Sequence, residues 1–126
     1  LCHLEANMIE AHLAAWNLAD FDLLFIENVG NLVCPAAWDL GEHHRLVLLS
    51  AAEGEDKPLK YPKLFHTADA AVITKMDIAG PCEFNLAQAR ENIHRIRPGI
   101  PIFETSAKTG QGLADFCAYL ASVRAS

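Results

Sequence analysis

The stretch Asp22-Leu-Leu-Phe-Ile-Glu-Asn-Val-Gly-Asn-Leu-Val-Cys-Pro35 is the segment from which the fold of the whole chain can be argued. Its first half is a short apolar run that ends in turn residues, a pattern typical of a buried parallel strand. Glu27 lies where this predicted strand ends, and Gly30 follows, where a missing side chain lets backbone approach a ligand closely. Because ligands of open α/β sheets bind beyond the carboxyl ends of the strands, a carboxylate at this point suits Mg²⁺ and phosphate.

Cys34 extends the same segment from a predicted nucleotide site towards a predicted metal site. It lies on the loop after the strand, where a thiolate can reach a soft metal ion. An ordinary core strand followed by an ordinary loop is the alternative interpretation of the segment. Motifs elsewhere in the chain are therefore needed to distinguish a nucleotide and metal site from an ordinary strand and loop.

Composition and charge exclude several classes of function. The chain has 126 residues, about one small domain, and 52% of them are hydrophobic. The formal net charge is -6 and no basic stripe occurs, which argues against a nucleic-acid surface. No apolar run is long enough to span a bilayer and no signal peptide is visible, so we expect no membrane association. The chain begins Leu1-Cys2-His3 without an initiator Met, which suggests a piece of a longer protein.

The cysteines indicate a reduced, cytoplasmic protein rather than a disulfide scaffold. None of Cys2, Cys34, Cys82 and Cys117 belongs to a Cys-x-x-Cys pair. Cys117 falls on an apolar helical face and is predicted to be a small core residue. Cys2 and the adjacent His3 can bind one metal ion together if the backbone there is not helical; a frayed terminus is the alternative.

Hydrophobic periodicity predicts an α/β fold with a mostly parallel sheet flanked by helices on both faces, residues 1–126 forming a single domain. The helix that precedes the opening strand is expected to be substantially buried, and Asn85 with Gln88 predicts a capping box. Strands are predicted in the first half of the opening stretch and over 45–50, 70–74 and 100–105. Helices are predicted over 4–18, 58–67, 85–97 and 113–123, with a turn or short helix over 36–42.

Polar clusters follow each predicted strand, and two of them suit a guanine base. The carboxylate in Thr74-Lys-Met-Asp77 can accept hydrogen bonds from the N1–H and the exocyclic amine of guanine, whereas adenine would leave it unpaired. The alkyl stem of Lys75 can lie along the base plane. Backbone N–H groups of Ser106-Ala-Lys108 can reach the guanine carbonyl. Each tetrapeptide alone is common, but both at strand ends about thirty residues apart are far more specific.

These motifs resemble those of a known family. Thr74-Lys-Met-Asp77 and Ser106-Ala-Lys-Thr-Gly110 look like the fourth and fifth guanine-nucleotide motifs of P-loop GTPases, and Glu27-Asn-Val-Gly30 occupies the place of the third. Together with Cys2-His3 and Glu53-Gly-Glu-Asp-Lys-Pro58, the opening stretch resembles the hydrogenase nickel-incorporation GTPases, the HypB family. The resemblance extends over essentially the whole chain. Thr74 stands where many GTPases have Asn, a small departure from the pattern.

The resemblance implies a specific activity, cofactors and partners. Members bind and hydrolyse GTP with Mg²⁺, help deliver Ni²⁺ to the large subunit of [NiFe]-hydrogenase, and work with a small nickel- and zinc-binding protein. Nucleotide or metal promotes their homodimerisation. The resemblance places a Ni²⁺ or Zn²⁺ site at Cys2, His3 and Cys34, a catalytic role at Glu27, and nucleotide contacts at Gly30, Thr74, Lys75, Asp77, Ser106, Ala107 and Lys108.

One motif of the family is missing, and it leaves alternatives open. No G-x-x-x-x-G-K-[ST] occurs, so the chain is expected to be the C-terminal part of a GTPase domain that by itself binds GTP poorly and hydrolyses it negligibly. A urease- or cobalamin-type accessory GTPase is the nearest alternative. A non-catalytic interaction module, and a flavodoxin-like domain with unrelated loops, are the others.

Overall fold

The structure is a computed structural model that describes residues 5–28 and 39–125. Its contacts divide the chain into two compact units, Leu1–His43 and His44–Ser126, which are described separately below. The predicted site residues Cys2, His3, Gly30 and Cys34, and residues 36–38 of the turn or short helix predicted over 36–42, lie outside the described residues; the described part of that prediction, 39–42, forms neither a turn nor a helix. The prediction of a single domain stays a prediction.

The first unit contains one helix, α1, over Ala6–Leu13 in its described part. At its start, the Met8 N–H donates to the Glu5 backbone carbonyl at 3.0 Å, and the Glu5 N–H donates to Met8 Sδ at 3.3 Å. The prediction of a helix over 4–18 was too long, because Ala14 closes α1 and a 3₁₀ turn forms at Leu18–Asp20. The expected burial was also wrong: no residue of α1 is buried.

The opening strand of the prediction is not formed in the first unit. Residues 21–28 adopt no strand, and the Phe25 side chain is 66% exposed. The prediction was wrong because an apolar run reports hydrophobicity, whereas a strand also needs a hydrogen-bonded neighbour, and the described residues offer it none.

The second unit is built on a three-stranded parallel sheet. Its strands are β1 (Leu46–Ser50), β2 (Ala70–Thr74) and β3 (Ile102–Glu104), in the order β1-β2-β3. Leu48 is in register with Val72, and Val72 with Phe103. The predicted strands over 45–50 and 70–74 are confirmed within one residue. The strand predicted over 100–105 is shorter than expected.

Helices cover both faces of this sheet, as predicted. On one face, α2 (Lys57–Lys60), α3 (Pro62–His66) and α4 (Leu86–Ile96) surround a core that includes Leu49, Ile73, Phe65 and Ile93. On the other, α5 (Leu113–Ala125) packs Phe116 and Tyr119 against Phe103, with ring centroids 5.5 and 4.8 Å apart. Parallel strands need such two-sided cover because both of their faces are apolar.

Two finer predictions about the helices, the capping box at Asn85 and the burial of Cys117, are corrected by the structure. The Asn85 side chain caps α4 by accepting from the Gln88 N–H at 3.0 Å, but the Glu55 carboxylate, not Gln88, accepts the Asn85 N–H. Only half of the predicted capping box therefore forms. Cys117 is exposed rather than a core residue, because α5 turns the ring of the neighbouring Phe116, not the thiol, towards the sheet.

Across the described ranges, no helix combines the length and the apolar character that a bilayer crossing requires.

Candidate functional site

The candidate site lies at one edge of the sheet in the second unit, where the three strands end. Because the strands are parallel and adjacent, the residues that follow β1, β2 and β3 meet at the same edge. They are a 3₁₀ turn at Ala51–Glu53, the Lys75–Asp77 segment and the loop that begins at Ser106. Three of the four polar clusters singled out in the sequence are thus brought together.

A left-handed residue shapes the turn after β2. Lys75 has φ 59° and ψ 40°, a conformation uncommon for a residue with a side chain, and a 3₁₀ turn follows over Met76–Ile78. The Met76 N–H donates to the Thr105 carbonyl at 3.0 Å, which ties this turn to the end of β3. Thr74 is half-buried as the last residue of β2, whereas Lys75 and Asp77 are exposed. The carboxylate and the lysine therefore stand at the surface on a fixed backbone.

Ser106 joins the two sequence motifs directly. Its side chain is fully buried, and its Oγ donates to Asp77 Oδ1 at 2.7 Å. The same Oγ accepts from the Thr109 N–H at 3.2 Å, and the Ser106 carbonyl accepts from the Gly110 N–H at 2.8 Å. The hydroxyl orients the carboxylate and curls its own loop at the same time. Ala107 and Lys108 lie on the exposed outer part of this loop.

Gly112 fixes the end of this loop, a role that the sequence analysis missed. The Ser106 N–H donates to the Gln111 carbonyl at 3.0 Å, so the loop closes on itself. Gly112 follows with φ +70°, and a Cβ at this position would lie 1.9 Å from the Glu104 carbonyl oxygen. The second glycine of Thr-Gly-Gln-Gly was the available signal.

A buried lysine supports the end of β1 and was likewise missed. Lys57 is 7% exposed, and its Nζ donates to the Leu48 carbonyl at 3.1 Å and to Glu53 Oε2 at 2.9 Å. Burial raises the pKa of Glu53, but hydrogen bonds from Lys57 and the Ser50 N–H, with the positive charges of Lys57 and Lys75, bring the pKa below its usual range. The positive charge of Lys75 thus acts on the Glu53 carboxylate across this edge of the sheet. The spacing of Glu53 and Lys57, four residues apart, was the only signal in the sequence.

Glu27, the predicted catalytic residue, lies in the first unit. It is exposed and lines a cleft of about 350 Å³. The cleft is otherwise mostly apolar, lined by Met8, Ile9, His12, Leu13, Trp16, Leu24, Phe25 and Ile26. Within residues 5–28 and 39–125, no three His, Cys, Asp or Glu side chains come together as a metal site. The predicted metal ligands Cys2, His3 and Cys34 are outside those ranges.

The fold and this edge define an α/β nucleotide-binding domain. Parallel strands with helices on both faces, and a carboxylate held at the carboxyl ends of two neighbouring strands, are the architecture that binds nucleotides at a sheet edge.

Comparison with known proteins agrees with this class. The family model described as the CobW/HypB/UreG nucleotide-binding domain matches residues 1–104. The chain is 45% identical over 119 residues to hydrogenase maturation factor HypB of Azotobacter vinelandii, covering 94% of this chain and 39% of that protein. It is also 45% identical over 123 residues to hydrogenase/urease maturation factor HypB of Helicobacter pylori, covering 94% and 51%.

Solved structures give the same result. The crystal structure of HypB from Archaeoglobus fulgidus superposes with a TM-score of 0.91 at 39% identity, over 98% of this chain and 60% of that one. HypB from Helicobacter pylori in complex with nickel has a TM-score of 0.91 at 43% identity, with the same coverage. The fold is thus of the P-loop GTPase type, as predicted.

The chain belongs to the CobW/HypB/UreG family of nucleotide-binding domains. The resemblance to HypB drawn from the sequence motifs is confirmed by these matches. The chain spans about two-fifths to one-half of the length of the two curated relatives described above.

Proposed function

We propose that this chain is the base-binding and metal-binding part of a GTP-hydrolysing nickel metallochaperone that serves the maturation of [NiFe]-hydrogenase in the cytoplasm. The observation that carries the proposal is the hydrogen bond from Ser106 Oγ to Asp77 Oδ1. It joins the two motifs that the sequence suggested for guanine, in a domain of a nucleotide-binding family.

Asp77 selects the base in this proposal. With Oδ1 accepting from Ser106, its remaining acceptor positions are directed to the N1–H and the 2-amino group of guanine. The stem of Lys75 covers the ring, and Thr74 ends the strand that carries both residues. Since the Ser106 N–H already donates to the Gln111 carbonyl, the N–H groups of Ala107 and Lys108 are the proposed donors to the guanine carbonyl.

Glu27 and Gly30 are proposed to act at the phosphate end. An exposed carboxylate such as that of Glu27 fits Mg²⁺, which keeps several waters and takes one or two carboxylates along with substrate phosphates. The chemistry that Mg²⁺ would supply there is neutralisation of the charge that develops on the phosphate oxygens. Glu27 would hold the ion's water shell or orient the attacking water, and Gly30 would allow the backbone to approach the phosphates.

Nickel is the proposed cargo, with zinc as its competitor. Thiolates at Cys2 and Cys34 and the imidazole of His3 form a donor set that suits both ions. Three ligands are few for a closed site, which favours a site shared across a nucleotide-promoted homodimer and able to release its metal. The proposed partners are a small nickel- and zinc-binding maturation protein and the [NiFe]-hydrogenase large subunit.

Urease maturation is the second candidate function. It is favoured by the Helicobacter pylori relative, which is described as a hydrogenase/urease maturation factor and is 45% identical to this chain. Both functions use the same nucleotide and cargo, so they differ only in the protein that receives nickel.

A transfer assay with the full-length protein tests the proposal. Radioactive Ni²⁺ is loaded on the protein, and its arrival in the apo large subunit of [NiFe]-hydrogenase, or in apo-urease, is measured with GTP or a non-hydrolysable analogue. We expect GTP-dependent transfer to the hydrogenase subunit. Glu27→Gln should lower kcat for GTP at least about tenfold, whereas Glu10→Gln, another exposed carboxylate of the first unit, should not. Transfer that is independent of GTP would contradict the proposal.

A further inference from the structure

Gly112 differs from the other described glycines in the space around it. It has φ +70°, and a Cβ built there would lie 1.9 Å from the Glu104 carbonyl oxygen and 3.0 Å from the Glu104 carbonyl carbon. Gly54, Gly99 and Gly110 also have positive φ, but a Cβ on any of them would meet nothing within 4 Å. A side chain at position 112 therefore collides with backbone, which cannot rotate out of the way as a flexible side chain can.

This close approach fixes the return of the loop after β3. The Gly112 carbonyl accepts from the Phe116 N–H at 3.2 Å and so opens α5, whose Phe116 ring packs on Phe103 of β3. On the other side of Gly112, the Gln111 carbonyl accepts from the Ser106 N–H at 3.0 Å. The position of Gly112 against Glu104 thereby determines where the Gln111 carbonyl can stand.

Ser106 passes this constraint on to Asp77. Its backbone is held by Gln111, its buried Oγ donates to Asp77 Oδ1 at 2.7 Å, and Asp77 itself is exposed. An exposed carboxylate on a surface turn samples several rotamers unless a neighbour holds it. The held rotamer depends on Ser106, and the place of Ser106 depends on the closed loop.

We propose that Gly112 is a positioning residue for base specificity: its contact with Glu104 seats the 106–112 loop so that Ser106 aims the Asp77 carboxylate at the 2-amino group of a guanine base. This inference rests on the proposed function, because it concerns the same base site. A side chain at 112 pushes the loop off β3, moves Ser106 and releases Asp77. The result is a site that still accepts a purine nucleotide but no longer recognises the 2-amino group.

The ratio of the affinities for GDP and inosine diphosphate (IDP) measures recognition of the 2-amino group directly. The two nucleotides differ only in the 2-amino group of the base. One hydrogen bond to an exposed charged acceptor such as Asp77 corresponds to roughly a tenfold difference in affinity. The full-length wild-type protein is therefore expected to prefer GDP over IDP by that factor, and Gly112→Ala to reduce the preference to within about threefold.

Gly99→Ala is the matched control. Gly99 has φ +77°, lies in the turn between α4 and β3, and offers open space to a Cβ. The variant therefore carries the same backbone strain without the collision and outside the base loop. It should keep the wild-type GDP to IDP ratio even if its thermal midpoint falls.

Calorimetric titration of the full-length wild type and both variants with GDP, IDP and ADP separates the outcomes. Loss of the GDP to IDP preference in a folded Gly112→Ala, with the preference kept in Gly99→Ala, supports the inference. An unchanged ratio, or an equal loss of affinity for all three nucleotides, overturns it. If Gly112→Ala does not fold, Ser106→Ala decides: a collapsed ratio supports the route through Ser106, and a wild-type ratio refutes it. A wild type that does not prefer GDP to ADP overturns the proposed function itself.

Discussion

Replacing Asp77 by Asn should change the base that the site accepts. The carboxylate is held at one oxygen by Ser106 Oγ at 2.7 Å and offers only acceptors to a ligand. In Asp77→Asn the amide oxygen can keep the Ser106 hydrogen bond, so the NH₂ group turns to the ligand. Donor then faces donor at the 2-amino group of guanine, whereas the 2-carbonyl of xanthine becomes a matching acceptor.

The expected loss of GDP affinity follows from the two hydrogen bonds that guanine would donate to the Asp77 carboxylate. Two bonds from guanine to a charged acceptor contribute about 1.5–3 kcal/mol each in a buried site. Asp77 is exposed, so the lower end applies and the total is about 3 kcal/mol. This corresponds to a loss of roughly 100-fold in GDP affinity. Xanthosine diphosphate should gain affinity in the same variant.

Competition against a fluorescent nucleotide on the full-length protein measures both changes. Asp115→Asn is the matched control, because Asp115 is also an exposed aspartate of the second unit but lies in the first turn of α5. It removes the same charge and should leave both affinities within about twofold. A GDP affinity of Asp77→Asn within twofold of wild type, or an equal loss for GDP and xanthosine diphosphate, would refute the role given to Asp77.

Three further predictions concern the stability of the second unit. Lys57→Met should lower the free energy of unfolding by about 1–3 kcal/mol, because a β1 carbonyl and a carboxylate lose their partner; exposed Lys60→Met is the control in the same urea titration. Since the pKa of Glu53 is lowered from 4.5 on folding, its stabilising contribution is present above that pH and disappears as the pH falls through the lowered value. The difference in urea midpoint between wild type and Glu53→Gln should therefore be constant near neutrality and vanish in acid; a difference that grows in acid contradicts the sign. Ile93→Ala should lower the free energy of unfolding by about 2–5 kcal/mol, because the side chain is fully buried. In calorimetry, the control Leu59→Ala, whose side chain is 42% exposed, should lose much less stability, and equal losses in the two variants would contradict the assigned core.

The second unit was predictable because its signals are local. The runs over 70–74 and 45–50 are apolar and end in polar turns, and the structure forms β2 and β1 there. Helix α4 runs from Leu86 to Ile96, within one residue at each end of the helix predicted over 85–97, and its capping residue Asn85 was part of that prediction. The meeting of Asp77 and Ser106 also followed, because parallel strands bring their carboxyl ends to one edge.

The first unit was not predictable in the same way. The apolar run that begins at Leu23 carries the pattern of a buried strand, yet residues 21–28 form none and Phe25 is largely exposed. Periodicity identifies apolar residues, but it does not supply the neighbouring strand whose hydrogen bonds define a ladder. Periodicity likewise does not supply the surface against which an apolar helix face packs, so the helix pattern over 4–18 predicted burial that α1 does not show.

Contacts between residues that are distant in sequence, and contacts that depend on backbone geometry, could not be predicted from the sequence either. The collision that makes Gly112 necessary involves Glu104, and only the path of the chain after β3 brings the two together. Lys57 reads as a surface residue in an acidic loop, but α2 folds it back onto the edge of β1. Local patterns report propensity and amphipathicity, and they do not report such returns of the chain.

We propose that the guanine nucleotide and the nickel site are coupled within one chain through the segment from Asn28 to Cys34, which joins the proposed phosphate end at Glu27 to the proposed metal ligand Cys34. Titration of the full-length protein with Ni²⁺, as wild type and as Cys34→Ala, with GTP or with GDP, tests that claim most directly. We predict a wild-type nickel site whose affinity differs between the GTP and GDP forms, and loss of that site in Cys34→Ala. Nickel affinity that is the same with both nucleotides, or that survives the loss of the Cys34 thiol, would contradict the coupling.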